Sequence, residues 1–213
     1  MADPRSISMA DIDVMHDEFS SSRANAIARN AVASSGIRPA ARVPEVASLA
    51  TTTFDVELKQ GEITDQKRTG RCWMFASLNT MRFRVMKKLG LKTFELSQAY
   101  PLFWDKFERS NWFFENVIAS ASEELTSREV AYLLADPLCD GGQWDMFRSL
   151  VKKYGVVPKE AMPETYHSSN TRDMNKYLTR YLRQGAKILR EAAAAGAGAD
   201  ELAEVKRGLL ADV

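Results

Sequence analysis

From Cys72 the chain commits to a helix. Met74, Leu78, Met81, Val85 and Leu89 recur at spacings of three and four, which lines them along one face. Arg84, Lys87 and Lys88 lie in the last turns, where cations complement the helix dipole, and Gly90 supplies a C-terminal stop. The first turns are apolar on nearly every side (Trp73, Met74, Phe75, Ala76, Leu78), so no orientation leaves them a face for water. This helix must lie at the centre of the molecule with other elements packed round it.

The elements that could surround it are also helical. Ser97 reads as the N-cap of a second helix carrying Tyr100, Phe103, Trp104, Phe107, Trp112, Phe113 and Phe114, an aromatic set expected to be core. Thr126-Ser127-Arg128-Glu129 reads as a capping box for a third helix through Leu134, which Asp136-Pro137 stops. Cys139-Asp140-Gly141-Gly142 is a tight loop, and a fourth helix follows from Trp144 to Tyr154, closed by Gly155. Residues 172–194 predict a long helix; Gly196 and Gly198 interrupt it before a last helical piece, giving two antiparallel helices.

Upstream of Cys72 the pattern is weak. A short helix is expected around Arg23–Val32, then an extended arm, with Thr51–Leu58 alternating like a strand and Gly61 ending it. The organisation is read as an arm at 1–62, a helical lobe at 63–170 and a helical insertion at 171–213.

The chain has 213 residues, 45% apolar and 27% charged, an ordinary globular composition. Its 29 Lys and Arg against 28 Asp and Glu leave +1, which predicts no general attraction to nucleic acid or to a membrane surface. Asp3, Arg5, Asp11 and Asp13 leave no apolar stretch for a signal peptide, and nothing approaches the ~20 apolar residues of a membrane span. Cys72 and Cys139 are too few for a disulfide framework and wrongly spaced for zinc, so no metal or cofactor is expected. The cytoplasm is the default location.

Cys72 opens its helix, facing unpaired backbone N–H groups and the positive end of the dipole, a setting that favours a thiolate nucleophile. Arg68 and Arg71 add positive charge nearby. Gln66, six residues upstream, carries a side-chain amide that could donate to the oxygen of an attacked carbonyl, jointly with the Cys72 backbone N–H. Gly70 lets the loop turn tightly into the helix and leaves room for a substrate backbone. A lone cysteine beside Trp and Phe is more often a buried small hydrophobe; the pattern around it decides.

That pattern, Gln66-x5-Cys72-Trp73, resembles the papain-like cysteine peptidases. Gln66-Lys67-x-x-Gly70-Arg71-Cys72-Trp73-x-Phe75-Ala76 looks most like their cytosolic branch, which contains bleomycin hydrolase and bacterial aminopeptidase C. Asp140-Gly141-Gly142-Gln143-Trp144-Asp145-Met146 with Tyr154-Gly155-Val156-Val157-Pro158-Lys159, and Phe94 to Tyr100 with Phe103 to Arg109, resemble further segments of that branch. The resemblance implies an α+β, predominantly helical fold: the papain-like helical (left) lobe with a helical-hairpin insertion, the β-barrel lobe missing. It implies a thiol aminopeptidase acting on peptides, with Cys72 as nucleophile and Gln66 as oxyanion-hole amide. Gly141 and Gly142 match the glycine pair whose backbone meets extended substrate, and Trp73 a packing position. In secreted papain relatives the equivalent of Cys139 pairs with a cysteine three residues before the nucleophile. Thr69 stands there, so Cys139 is expected as a structural free thiol.

A cysteine peptidase needs an imidazole and a group to orient it. The two histidines, His16 in the arm and His167 in a polar loop, do not resemble the family's His or Asn segments, which belong to its C-terminal half. The chain is therefore expected to be a fragment inactive alone. Members of the branch form hexameric cages, so a homo-oligomer is implied at full length. The alternatives are a non-catalytic relative acting as an interaction subunit through its aromatic helices, and, more weakly, a redox thiol protein built on Cys72 and Cys139.

Overall fold

The computed structural model describes residues 6–49, 54–58 and 61–213, which fall into two compact units divided between Glu57 and Leu58. The first unit is helical where a loose arm was expected. α1 (Met9–Ser21) starts at Ser8, whose hydroxyl accepts the Asp11 N–H while the Asp11 carboxylate accepts the Ser8 N–H, a reciprocal capping box. α2 (Arg23–Ser35) contains the expected short helix; α3 (Ile37–Ala40) and α4 (Pro44–Leu49) follow. No residue of α1, α2 or α3 is buried; Ser8 and Ser22 cap the first two, and α3 has no side-chain cap. The strand expected at Thr51–Leu58 is not formed over its described part: residues 54–58 are irregular, and Thr51, Thr52 and Thr53 lie outside the described residues.

The second unit holds the helix expected at the centre. α5 (Cys72–Leu89) runs over the expected range and ends at Gly90, whose φ of 64° is the left-handed C-cap that glycine adopts without strain. Trp73, Met74, Phe75 and Leu78 are buried, as their all-round apolarity required, but Ala76 is exposed. The stripe fades at the C-terminus: Met86 is still buried, but Leu89 is 63% exposed.

α6 (Ala99–Ala119), α7 (Arg128–Ala135), α8 (Trp144–Tyr154), the short α9 (Tyr166–Ser169), α10 (Arg172–Ala194) and α11 (Ala199–Ala211) follow, and the hub is α6 rather than the expected α5: α7, α8, α10 and α11 pack on α6, whereas α5 packs chiefly on α8. Ser97 caps α6 through its hydroxyl, which accepts the Tyr100 N–H at 3.0 Å. The third helix is capped by Ser127 accepting from Val130 N–H, not by a box on Thr126 and Glu129. Among the described residues there is no strand, only isolated bridges at Arg68–Asn170 and Leu96–Pro158. No helix among them is long and apolar enough to cross a membrane.

Two hydrophobic cores share α6. One joins Trp73, Met74 and Leu78 of α5 to Leu96, Leu102, Phe147 and Leu150. The other joins Phe113, Phe114 and Val117 to Leu133, Leu138, Leu182, Ala186, Leu189 and Leu202. α10 and α11 are the expected antiparallel pair, and the Tyr181 hydroxyl donates to the Leu209 carbonyl across them at 2.9 Å. Gly185 lets α10 approach α6: a Cβ there would lie 2.6 Å from the Phe114 ring. The aromatic set on α6 divides. Phe113 and Phe114 are fully buried, whereas Trp112 is 58% and Phe103 48% exposed, on the faces turned from both cores.

Candidate active site

The sequence before α5 forms a loop whose shape is set residue by residue. Lys67 takes a φ of 55°, the only positive value among described non-glycine residues, a conformation that costs about 1 kcal/mol for an L-residue. Asp65 compensates: its carboxylate accepts the Lys67 N–H at 2.7 Å and pairs with the Lys67 ammonium at 2.9 Å. The loop then closes on itself. Gln66 Nε2 donates to the Thr69 carbonyl at 2.8 Å, and Thr69 Oγ1 donates to the Gln66 carbonyl at 2.7 Å. One amide N–H of Gln66 is thereby engaged; the other has no acceptor among the described residues. The two bonds tie the Gln66 amide to the segment that enters α5.

Gln66 and Cys72 line one open groove of about 460 Å³, with Ile63, Thr64, Asp65, Phe75 and Asn79. Cys72 is exposed and is the first residue of α5. Asn79 lies two turns along the same helix. Its amide donates to Thr64 Oγ1 at 2.8 Å, while its buried carbonyl oxygen has no partner among the described residues.

Arg71 does not contribute the expected charge to the thiol. It is wholly buried, and Nη1 and Nη2 donate bidentately to Glu164 at 2.8 and 2.9 Å, with Phe75 under the guanidinium. Its charge is spent on that carboxylate. Burial pushes the Glu164 carboxyl upward, but hydrogen bonds from Arg71 and Ser168 outweigh this and hold it below its ordinary value.

Gly70 has a different reason from the one its position suggests. A Cβ there would lie 2.8 Å from Asp140 Cβ, so glycine is needed for close approach of two loops rather than for a turn. Asp140 is the centre of the contact. Its carboxylate accepts from Gly70 N–H at 3.1 Å, Lys106 Nζ at 2.6 Å, Asn175 Nδ2 at 2.8 Å and the Thr171 hydroxyl. Its carbonyl accepts the Trp73 indole N–H at 2.8 Å. Burial pushes this carboxyl up, but hydrogen bonds from Asn175, Lys106 and Thr171 together hold it well below the usual carboxylate range. Asp105 nearby goes the other way: burial raises it and Arg109 only partly offsets that.

The glycine pair also divides. Gly142 packs flat on Trp73, and an alanine methyl would stand within 2.7 Å of three indole carbons. Gly141 has open space where a Cβ would go, and its carbonyl accepts from Arg109 Nη2 at 2.5 Å. Cys139, exposed and a free thiol, lies 3.4 Å from Arg109 Nη1. His167 is exposed on α9 with its ring edge-on to Tyr166; His16 belongs to the first unit, 3.4 Å from the Ser20 hydroxyl. Neither lines the groove.

Sequence reasoning named Gln66, Cys72, Gly141 and Gly142 and missed the polar frame behind them: Asp140, Lys106, Thr171, Asn175 and the Arg71–Glu164 pair. A faint signal existed in Asp105 and Lys106, charged residues inside an aromatic helix.

The profile of the Peptidase C1-like family matches residues 6–213. Aminopeptidase C of Lactobacillus delbrueckii subsp. lactis is 45% identical over 206 residues, 97% of this chain and 46% of that protein. Aminopeptidase C of Streptococcus thermophilus is 54% identical over 144 residues, 68% of this chain and 32% of that protein. The crystal structure of PepW from Lactobacillus rhamnosis HN001 superimposes with a TM-score of 0.91 at 44% identity, covering 98% of this chain and 47% of that one. The chain thus spans less than half the length of these relatives. A profile match over almost every residue, together with a helical lobe that superimposes on a relative, establishes that this chain belongs to the Peptidase C1-like family.

Proposed function

We propose that this chain carries the nucleophile half of a thiol aminopeptidase that removes N-terminal residues from peptides. The observation that carries the reading is the groove shared by Gln66 and the exposed Cys72 at the start of α5. Cys72 Sγ attacks the scissile carbonyl carbon, a C–S bond forms, and negative charge develops on the oxygen. The second N–H of the Gln66 amide and the backbone N–H of Cys72 meet that charge. Gly141 and Gly142 present backbone to the extended peptide, the first with no side chain to obstruct it. Amide hydrolysis also needs an imidazole to take the thiol proton and return it to the leaving amine. Neither histidine of this chain lines the groove, so that group comes from polypeptide beyond these 213 residues. A cytosolic setting and a homo-oligomeric whole enzyme belong to the same reading; size measurement of the chain with and without a full-length relative tests the second.

An activated ester separates the two halves of the chemistry, because 4-nitrophenolate leaves without being protonated. The expected result with alanine 4-nitrophenyl ester is one equivalent of 4-nitrophenolate and a thioester on Cys72, lost in Cys72→Ser, with no turnover of an alanyl coumarin amide. Absence of Cys72 acylation would refute the nucleophile assignment. Cys72-dependent turnover of the amide would refute an external base.

A further inference from the structure

We propose that Asp140 is a positioning residue for the acyl-transfer site: it clamps both flanks of Cys72 and so sets where the oxyanion donors stand. The inference rests on the reading of Gln66 and Cys72 given above. Gly70 precedes the thiol by two residues, and its N–H donates to the Asp140 carboxylate at 3.1 Å. Trp73 follows the thiol, and its indole N–H donates to the Asp140 carbonyl at 2.8 Å. One residue thus holds the segment from both sides of the helix start.

The clamp is itself anchored on rigid elements. Lys106, 4% exposed on α6, donates at 2.6 Å; Asn175 on α10 donates at 2.8 Å, and the buried Thr171 donates from the residue that precedes α10. Four donors saturate a carboxylate, which leaves it one orientation. The grip extends to Gln66, whose amide is closed onto Thr69, the residue bonded to Gly70. A shift of Gly70 therefore displaces the Gln66 amide and the Cys72 N–H together. No covalent link does this work: both cysteines are free. The hydrogen-bonded carboxylate takes the place of a cross-link between the two loops.

The test compares two reactions of the same thiol in the 213-residue protein. Acylation by alanine 4-nitrophenyl ester builds charge on oxygen and needs the oxyanion donors; alkylation by iodoacetamide does not. Peptide-resolved mass spectrometry assigns each product to Cys72 rather than Cys139. Gln66→Ala is expected to lower the acylation-to-alkylation ratio about a hundredfold, the usual effect of losing one oxyanion donor. Asp140→Asn is expected to lower it about tenfold through displacement of the donors, and Thr171→Val, which removes one anchor, about twofold to threefold. Gly185→Ala weakens the fold in the distant hairpin and should leave the ratio unchanged. If Asp140→Asn does not fold, Thr171→Val decides. A ratio that falls for Gln66→Ala but not for the Asp140 or Thr171 variants overturns the clamp and leaves the nucleophile reading intact. A ratio indifferent to Gln66→Ala overturns the oxyanion assignment, and the clamp with it. An equal fall in Gly185→Ala shows that the ratio tracks stability and likewise overturns the clamp.

Discussion

Gly141 and Gly142 are adjacent and chemically identical, yet one methyl group should separate them sharply. In Gly142→Ala the new Cβ would stand within 2.7 Å of three Trp73 indole carbons, where carbon–carbon contacts prefer about 3.5–4.0 Å, so roughly 1 Å must be found. Trp73 cannot retreat: it is 9% exposed, packed against Met74 and Leu78, and tied by its N–H to Asp140. The loop cannot lift either, because Asp140 two residues before it is fixed by four donors. Over-packing of this kind costs about 1–3 kcal/mol, and breaking the indole hydrogen bond adds about 1. The reduced entropy of the unfolded alanine chain returns about 0.4–1 kcal/mol. The net expectation for Gly142→Ala is a loss of about 1–3.5 kcal/mol. Gly141→Ala meets nothing within 4 Å, and neither glycine has a positive φ, so it should be neutral or gain a few tenths of a kcal/mol. Urea unfolding followed by tryptophan fluorescence measures both, since all four tryptophans lie in the second unit. With a slope of about 1–3 kcal/mol per molar, Gly142→Ala should move the midpoint down by about 1 M. Variants that agree within about 0.5 kcal/mol would show that the indole and the loop yield freely, and would refute the argument.

Three further expectations follow from the same contacts. Glu164→Gln leaves the wholly buried Arg71 without its counter-charge, and removal of one partner of such a pair costs about 3–5 kcal/mol; a denaturation midpoint unchanged from the parent would show the guanidinium to be solvated after all. Gly185→Ala gains helix propensity of about 1 kcal/mol but places a methyl 2.6 Å from the fully buried Phe114 ring, so a net loss near 1 kcal/mol is expected by thermal unfolding, and a raised Tm would refute the close approach. Asp140 and Glu164 are both held below their unfolded values, so each contributes stability that is complete above about pH 5 and lost as pH falls through the folded value. Asp105, raised by burial, works in the opposite sense and offsets part of this. Urea midpoints should therefore fall between pH 6 and pH 3, less steeply in Asp140→Asn, and an equal slope in that variant would count against the assignment.

What could be read from the sequence follows the range of the forces involved. α5, α8 and α10 begin and end within a residue or so of their expected limits, because periodicity and glycine stops are written within a few turns of each helix. Gln66 and Cys72 were legible for the same reason, lying on one short loop. α1 was missed although Ser8 and Asp11 spell its cap, since its apolar residues bury no face and give no clear period. The close approach at Gly70 and Gly142 was not legible, because a glycine that admits another chain looks, in sequence, like a glycine that turns. The Asp140 frame was invisible for a stronger reason. Its donors lie at 70, 106, 171 and 175, and the Arg71–Glu164 pair spans 93 positions, so no local pattern encodes either.

Hydrophobic patterning is the strongest signal a sequence offers, and here it builds two cores to which neither Gln66 nor Cys72 belongs. In sequence those residues flank Gly70, whose contact with Asp140 forms a polar seam where apolar burial has little to say about position. Something else must fix them, and a hydrogen-bonded carboxylate is suited to it. Apolar contacts tolerate sliding, since each atom pair contributes only about 0.1–0.2 kcal/mol and the total changes gradually. A hydrogen bond weakens steeply with angle, and a carboxylate holding four donors penalises displacement in every direction. The tolerances of acyl transfer, a fraction of an ångström between thiol, carbonyl and oxyanion donors, call for that kind of restraint. The seam is thus where the fold's cheapest device for accuracy is placed, and where a sequence read for its hydrophobic pattern falls silent.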